Sequence, residues 1–207
     1  MSTRAFFDDA AKAAVTAAIK RVESQTSAEV VVAVRRRAGV SYLQADLAFG
    51  ALVALASLVV ILFVDKEFAT TWIPLDVAVC FVAGALLCRY TWFLRRLFTP
   101  GARRTEETRR AAATAFHDMG IGRTSGRNGI LVLVALFEHR VAVVADVGIE
   151  PKVIQVAVDN LRAALERPVP DFDAFVAALE SLGPALAKTM PRRADDVNEL
   201  PDEVGVA

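Results

Sequence analysis

The chain has 207 residues, room for one domain or for a small domain with a membrane element. Apolar residues make up 55% of it and mean hydropathy is +0.41, both high for a soluble protein, so a membrane segment is the first expectation. Basic and acidic residues balance at 24 each, which gives no case for nucleic acid as partner.

The chain opens polar, with no charged-then-apolar leader over Met1 to Ala28. Phe7, Ala11, Val15, Ile19 and Val22 share one stripe at helical spacing, which predicts a first helix capped by Asp8 or Thr3 and ended at Ser24–Ser27. Glu29 to Val34 is a β-branched run of the buried-strand type, stopped by Arg35, Arg36 and Arg37.

Two long apolar runs follow. Leu47 to Val64 carries no charge and is long enough to cross a ~30 Å hydrocarbon core. Val77 to Leu94 is interrupted only by Arg89, close enough to its end to snorkel, and Trp72 and Trp92 flank it where aromatic belts form. Joined by a short loop, the two runs predict a transmembrane helical hairpin. Arginines crowd both outer flanks, while Lys66 alone marks the loop, so the positive-inside rule puts both termini on the cytoplasmic side. The only cysteines, Cys80 and Cys88, lie in the second run, about 12 Å apart along a helix and too far for a bridge. Gly50 and Gly84 stand singly, without the spacing of a helix-dimer motif. The runs hold few polar groups, which speaks against transport.

Beyond the hairpin, Arg103 to Gly120 reads as a helix closed by Gly120. A Gly/Ser/Asn loop then leads to strands at Ile130–Phe137 and Arg140–Asp146, joined through Glu138–Arg140. Pro151 opens a further helix, Asp171 caps a last one, and Pro184 suggests a break in it. The order α-β-(hairpin)-α-β-β-α-α predicts an α/β domain, three or four strands with helices on both faces, split by a membrane insertion. The boundaries expected are residues 1–42 and 98–190 for the two parts of the domain, 43–97 for the hairpin, and 191–207 for a disordered acidic tail.

The strand entry Thr26–Glu29, the loop Gly120–Gly129 and the turn Ala145–Ile149 together resemble the TPM domain family, and more closely its bacterial membrane proteins whose domain is split by two transmembrane helices. The resemblance runs to about Met190. It implies an α/β sandwich in a bacterial inner membrane. For some members it implies acid phosphatase activity with calcium or another divalent cation at an acidic patch; for others, assembly or repair of membrane complexes. Many members carry Asp-Asn-Gly before the second strand, where this chain has Arg127-Asn128-Gly129. An arginine there removes a hard-cation ligand and brings a repelling charge.

Glu29, Asp146 and Glu150 are the candidate metal ligands, standing at strand ends and turns. Sharing a cation would require them to converge within about 5 Å. Arg123, Arg127, Asn128 and Gly129 belong to an anion-friendly loop that precedes a strand rather than a helix, unlike a P-loop. Each also has a structural reading: the loop as glycine-shaped backbone, Asp146 as a turn or helix-cap residue, Glu29 as a solvated strand start. His117 near a helix end and His139 in a solvated hairpin turn form no triad with a serine. The expected function is a non-catalytic interaction or membrane-complex maintenance module, with the lipid bilayer and a protein as partners. The alternative is a membrane-anchored, metal-dependent phosphatase.

Overall fold

A computed structural model describes residues 8–39, 41–64, 69–193, 198–200 and 205–206. Thr3 and Phe7 of the expected first helix, and Lys66 of the connecting loop, lie outside the described residues. The chain forms two compact units, one of Met1–Ala38 with Thr105–Ala207, the other of Gly39–Arg104.

The first unit is mixed α/β. Its elements in chain order are α1 (Asp9–Glu23) and β1 (Glu29–Arg35), then, beyond the second unit, α5 (Gly101–Asp118, whose first turn belongs to the second unit), a 3-10 turn (Ile121–Arg123), β2 (Gly129–Ala135), β3 (Arg140–Ala145), α6 (Pro151–Leu165), α7 (Phe172–Glu180), α8 (Leu182–Leu186) and β4 (Gly205–Val206). The strands lie in the order β3-β2-β1-β4. β1 runs parallel to β2 from Glu29↔Gly129 to Arg35↔Ala135, and β2 and β3 form an antiparallel hairpin. A parallel pair needs a crossover, and α5 provides one.

Alternation along the strands sorts the core onto two faces. Val30, Val32, Val34, Ile130, Val132 and Val134 pack with the buried stripes of α1, α6, α7 and α8. Val31, Ala33, Leu131 and Leu133 pack with Ala111, Ala112 and Ala115 of α5. The helices expected around Asp8, Gly120, Pro151 and Asp171 are all present. Asp8 accepts from the Ala10 amide, Gly120 is left-handed at φ 68°, Pro151 is the first helical residue of α6, and the Asp171 carboxylate accepts from the Ala174 amide. Asp171→Ala is expected to cost about 1 kcal/mol, the usual worth of such a cap, as a lower denaturation midpoint in detergent.

Three local expectations are corrected. β2 ends at Ala135, not Phe137, because the turn of residues 136–139 into β3 begins there, although Leu136 and Phe137 still donate to the carbonyls of Arg35 and Arg36. His139 is 2% exposed rather than solvated, held in a left-handed conformation at φ 57°. The tail expected to be disordered contributes Gly205 and Val206 to the sheet, beside Ala33 and Val34 of β1.

The second unit is a helical hairpin, α2 (Leu43–Phe63) and α3 (Ile73–Tyr90), followed by the short α4 (Trp92–Leu97). Both long helices are long and apolar enough to cross a membrane. They meet through glycine: a Cβ on Gly50 would lie 2.7 Å from the Phe81 carbonyl, and one on Gly84 would lie 2.8 Å from Val53 Cβ. Close approach of this kind is how small residues let apolar helices pack without a hydrophobic driving force. The single glycines therefore serve contact within the hairpin. The second apolar run is not one helix: Thr91 is extended (φ −104°, ψ 102°) and the chain restarts at Trp92. That break lets Arg95 turn back to Asp46, at 2.6 Å with both side chains largely buried.

Candidate functional site

The candidate residues of the first unit gather at one end of its sheet, where β1 and β2 begin and β3 ends. Glu29 pairs with Gly129, and the amide of Asp146 donates to the Gly129 carbonyl, so the three form one row across the sheet. Strand parity puts their side-chain positions on the α5 face, with Val31, Leu131 and Val144. Both acids are 5% exposed.

Burial does not make them neighbours. They are separated by two strand spacings, roughly 10 Å. Ile121 sits over the glycine between them, with its carbonyl oxygen 2.4 Å and its Cγ2 2.6 Å from where a Gly129 Cβ would be. The lack of a side chain at Gly129 is what admits the 3-10 turn onto the sheet end. Glu150 is exposed, at the start of α6. Among the described residues no three His, Cys, Asp or Glu side chains gather in a way that could hold a metal ion.

Asp146 takes its positive charge from the chain itself. Its Oδ1 is 3.1 Å from Arg127 Nη2 and accepts the Val147 amide at 2.7 Å. Arg127 reaches it from a left-handed backbone (φ 49°), and its other terminal nitrogen donates to the Gly122 carbonyl at 2.8 Å. The arginine expected to repel a cation thus stands beside the acid in a cation's stead. Asp146 Oδ2 is buried with no hydrogen-bond partner among the described residues. The Asp-Val-Gly-Ile turn is closed by the main chain, the Asp146 carbonyl accepting from the Ile149 amide. Gly148 of that turn donates to the Arg127 carbonyl, which lies 2.5 Å from where its Cβ would be, so turn and loop are pressed together.

The remaining loop residues have separate tasks. Arg123 ends the 3-10 turn and is exposed. Asn128 ties the loop to β1: its side-chain amide donates to the Ser27 carbonyl, its own amide donates to Thr124 Oγ1 at 3.2 Å, and its carbonyl accepts from the Glu29 amide. Glu29 faces a cavity of about 180 Å³ lined also by Lys20, Glu23, Thr26 and Arg192, and its Oε2 accepts the Leu200 amide at 3.4 Å.

The loop has a partner that the sequence did not suggest, held at Ser125, which is none of the residues expected to bind an anion. Glu199, from the tail, places its carboxylate on Ser125, accepting from the amide at 3.0 and 3.3 Å and from the hydroxyl. No local signal links residues 74 apart in sequence. The Ser125 hydroxyl, and after it the Ser125 amide, hold the Glu199 carboxyl below its ordinary value of 4.5. A group with a lowered folded-state pKa contributes stability that is complete above its unfolded value and is lost as pH falls through the folded one. The tail is therefore expected to stay docked at neutral pH and to release only as pH falls below 4.5. Amide hydrogen exchange at Ser125 and Leu200 reads this directly: protection should drop in that acid range and not between pH 6 and 8.

No protein-family model matches the chain, and no curated protein matches it. Among solved structures it is similar to the NMR structure of BA42 protein from the psychrophilic bacterium Bizionia argentinensis, with 16% identity, a TM-score of 0.56, and coverage of 97% of this chain and 94% of that one. At that identity the likeness concerns the fold alone.

Proposed function

We propose that the chain is an integral membrane protein of the TPM type, anchored by α2 and α3, whose α/β unit is a non-catalytic module that binds a protein partner. Support for the anchor is the exposure of the two apolar helices. Only 17% and 11% of their most apolar windows are buried, where the core helix of a soluble protein would be mostly covered. Arginine bias in the flanks supports a bacterial inner-membrane location with both termini cytoplasmic.

The observation that carries the interaction reading is what the sheet end already binds. Arg127 is committed to Asp146, and the Ser125 donors grip the carboxylate of a peptide segment. An acid already neutralised by a guanidinium is a poor ligand for a further cation, and donors that hold a carboxylate suit recognition of acidic polypeptide.

The test uses the full chain in detergent: calorimetric titration with calcium, magnesium and manganese beside a phosphomonoester assay. Neither micromolar cation binding nor turnover is expected. Binding abolished by Asp146→Asn, with turnover abolished in parallel, would replace this reading with the metal-dependent phosphatase.

A further inference from the structure

We infer that the edge of β1 away from β2 and the Thr124–Asn128 loop form a docking groove for an extended peptide bearing an acidic residue followed by an apolar one, and that the chain's own C-terminal segment is the ligand it holds in cis. The inference rests on the interaction reading above and names the surface and the partner chemistry.

Three contacts define the groove, and each reads a different property of the bound segment. The acid is read by Ser125, whose amide and hydroxyl both donate to the Glu199 carboxylate. The next residue is read by shape: Leu200 is partly buried against the cluster of Val31, Leu131 and Ile121, and its amide donates to Glu29 Oε2. The backbone is read by the sheet, as Gly205 and Val206 pair in parallel with Ala33 and Val34. Strand addition to an open edge, with side chains alternately seated, is a general mode of peptide recognition. Glu29 thereby acquires a task that a cation site does not give it, as acceptor for the main chain of the docked segment.

The features that hold the tail also make it replaceable. Among the described residues its strand pairs with two of the seven in β1, and Glu199 is exposed. What favours the tail over a free peptide is its covalent tether, which makes its binding intramolecular. A partner presenting the same acid-apolar-strand pattern competes for the same contacts.

The probe is a fluorescent peptide with the sequence of residues 198–207, Asn-Glu-Leu-Pro-Asp-Glu-Val-Gly-Val-Ala. It is titrated against the full chain in detergent and against a chain ended at Arg193, which keeps the Thr26–Pro191 bridge and the Arg192 contact with the Glu23 carbonyl. Saturable binding to the shortened chain is expected, at least tenfold weaker to the full chain, and tenfold weaker again when the peptide carries Glu199→Gln. A full-length chain with Glu199→Gln should bind the native peptide more tightly than the unaltered full chain does. This arm stands even if shortening impairs folding. Absence of binding to both altered chains, equal binding to all chains, or indifference to Glu199→Gln in the peptide would overturn the groove. Failure of the peptide without phosphomonoester turnover removes the groove and leaves the interaction reading. Turnover with the peptide bound removes that reading and keeps the groove.

Discussion

Asp46→Ala is expected to destabilise the helical hairpin by about 3–5 kcal/mol, the usual cost of removing one partner from a buried ion pair. Asp46 and Arg95 lie 2.6 Å apart, with side chains 4% and 12% exposed. Arg95 also stacks 5.7 Å from the centre of the Tyr42 ring and is the residue whose carbonyl receives the Thr99 hydroxyl. Alanine at position 46 would leave that guanidinium buried without its carboxylate. Changing both residues together, Asp46→Leu with Arg95→Met, is expected to restore most of the loss, since a well-packed apolar pair substitutes for a buried ion pair at little cost. Thermal unfolding of the full chain in detergent measures both. Equal losses in the single and double variants would mean that the pair contributes nothing as a pair.

Gly129→Ala is the second large effect, expected at about 3 kcal/mol because overpacking here meets backbone rather than a flexible side chain. The added Cβ would lie 2.4 Å from the Ile121 carbonyl oxygen, so the 3-10 turn must lift from the sheet. Lifting it disturbs the row that holds Glu29 and Asp146 and the loop that carries Ser125. Gly126→Ala, three residues earlier, is the control. Its Cβ would first meet the Asn128 side chain, at 3.1 Å, and a change of under about 1 kcal/mol is expected. Denaturant midpoints of the two variants, compared with the unaltered chain, separate backbone exclusion from a general effect of losing glycine.

Most of the fold was legible because its signals are local. The stripe from Ala11 to Val22, the β-branched run of β1, Gly120 and the caps at Asp8 and Asp171 each state their element within a few residues. The alternating core faces follow from strand parity. Asp46 was missed because it lies one residue before the uncharged run, where it reads as a flank, and Arg95 because it reads as a topology signal among other arginines. Only the bend at Thr91 brings the two together.

The candidate site divides in the same way. Its location at the sheet end could be read, since Glu29, Gly129 and Asp146 each stand at a predicted strand end. Their relations could not. The distance between the acids is set by Ile121 wedged over a glycine, and the partner of Asp146 by a left-handed Arg127. Glu199 sat in a segment with no apolar periodicity, and such a segment is read as disordered. Its order comes from non-local contacts with Ser125, Glu29 and β1.

We propose that α2 and α3 cross a membrane, with the α/β unit on the cytoplasmic side. The most direct measurement is impermeant maleimide labelling of intact bacterial cells expressing the chain. Cys80 and Cys88 are replaced by alanine, and single cysteines are placed at Thr70 in the loop or at Lys152 on α6. Labelling at position 70 in intact cells, with position 152 labelled only after lysis, is the predicted result. Labelling of neither position until lysis, together with release of the protein by alkaline carbonate, would contradict it.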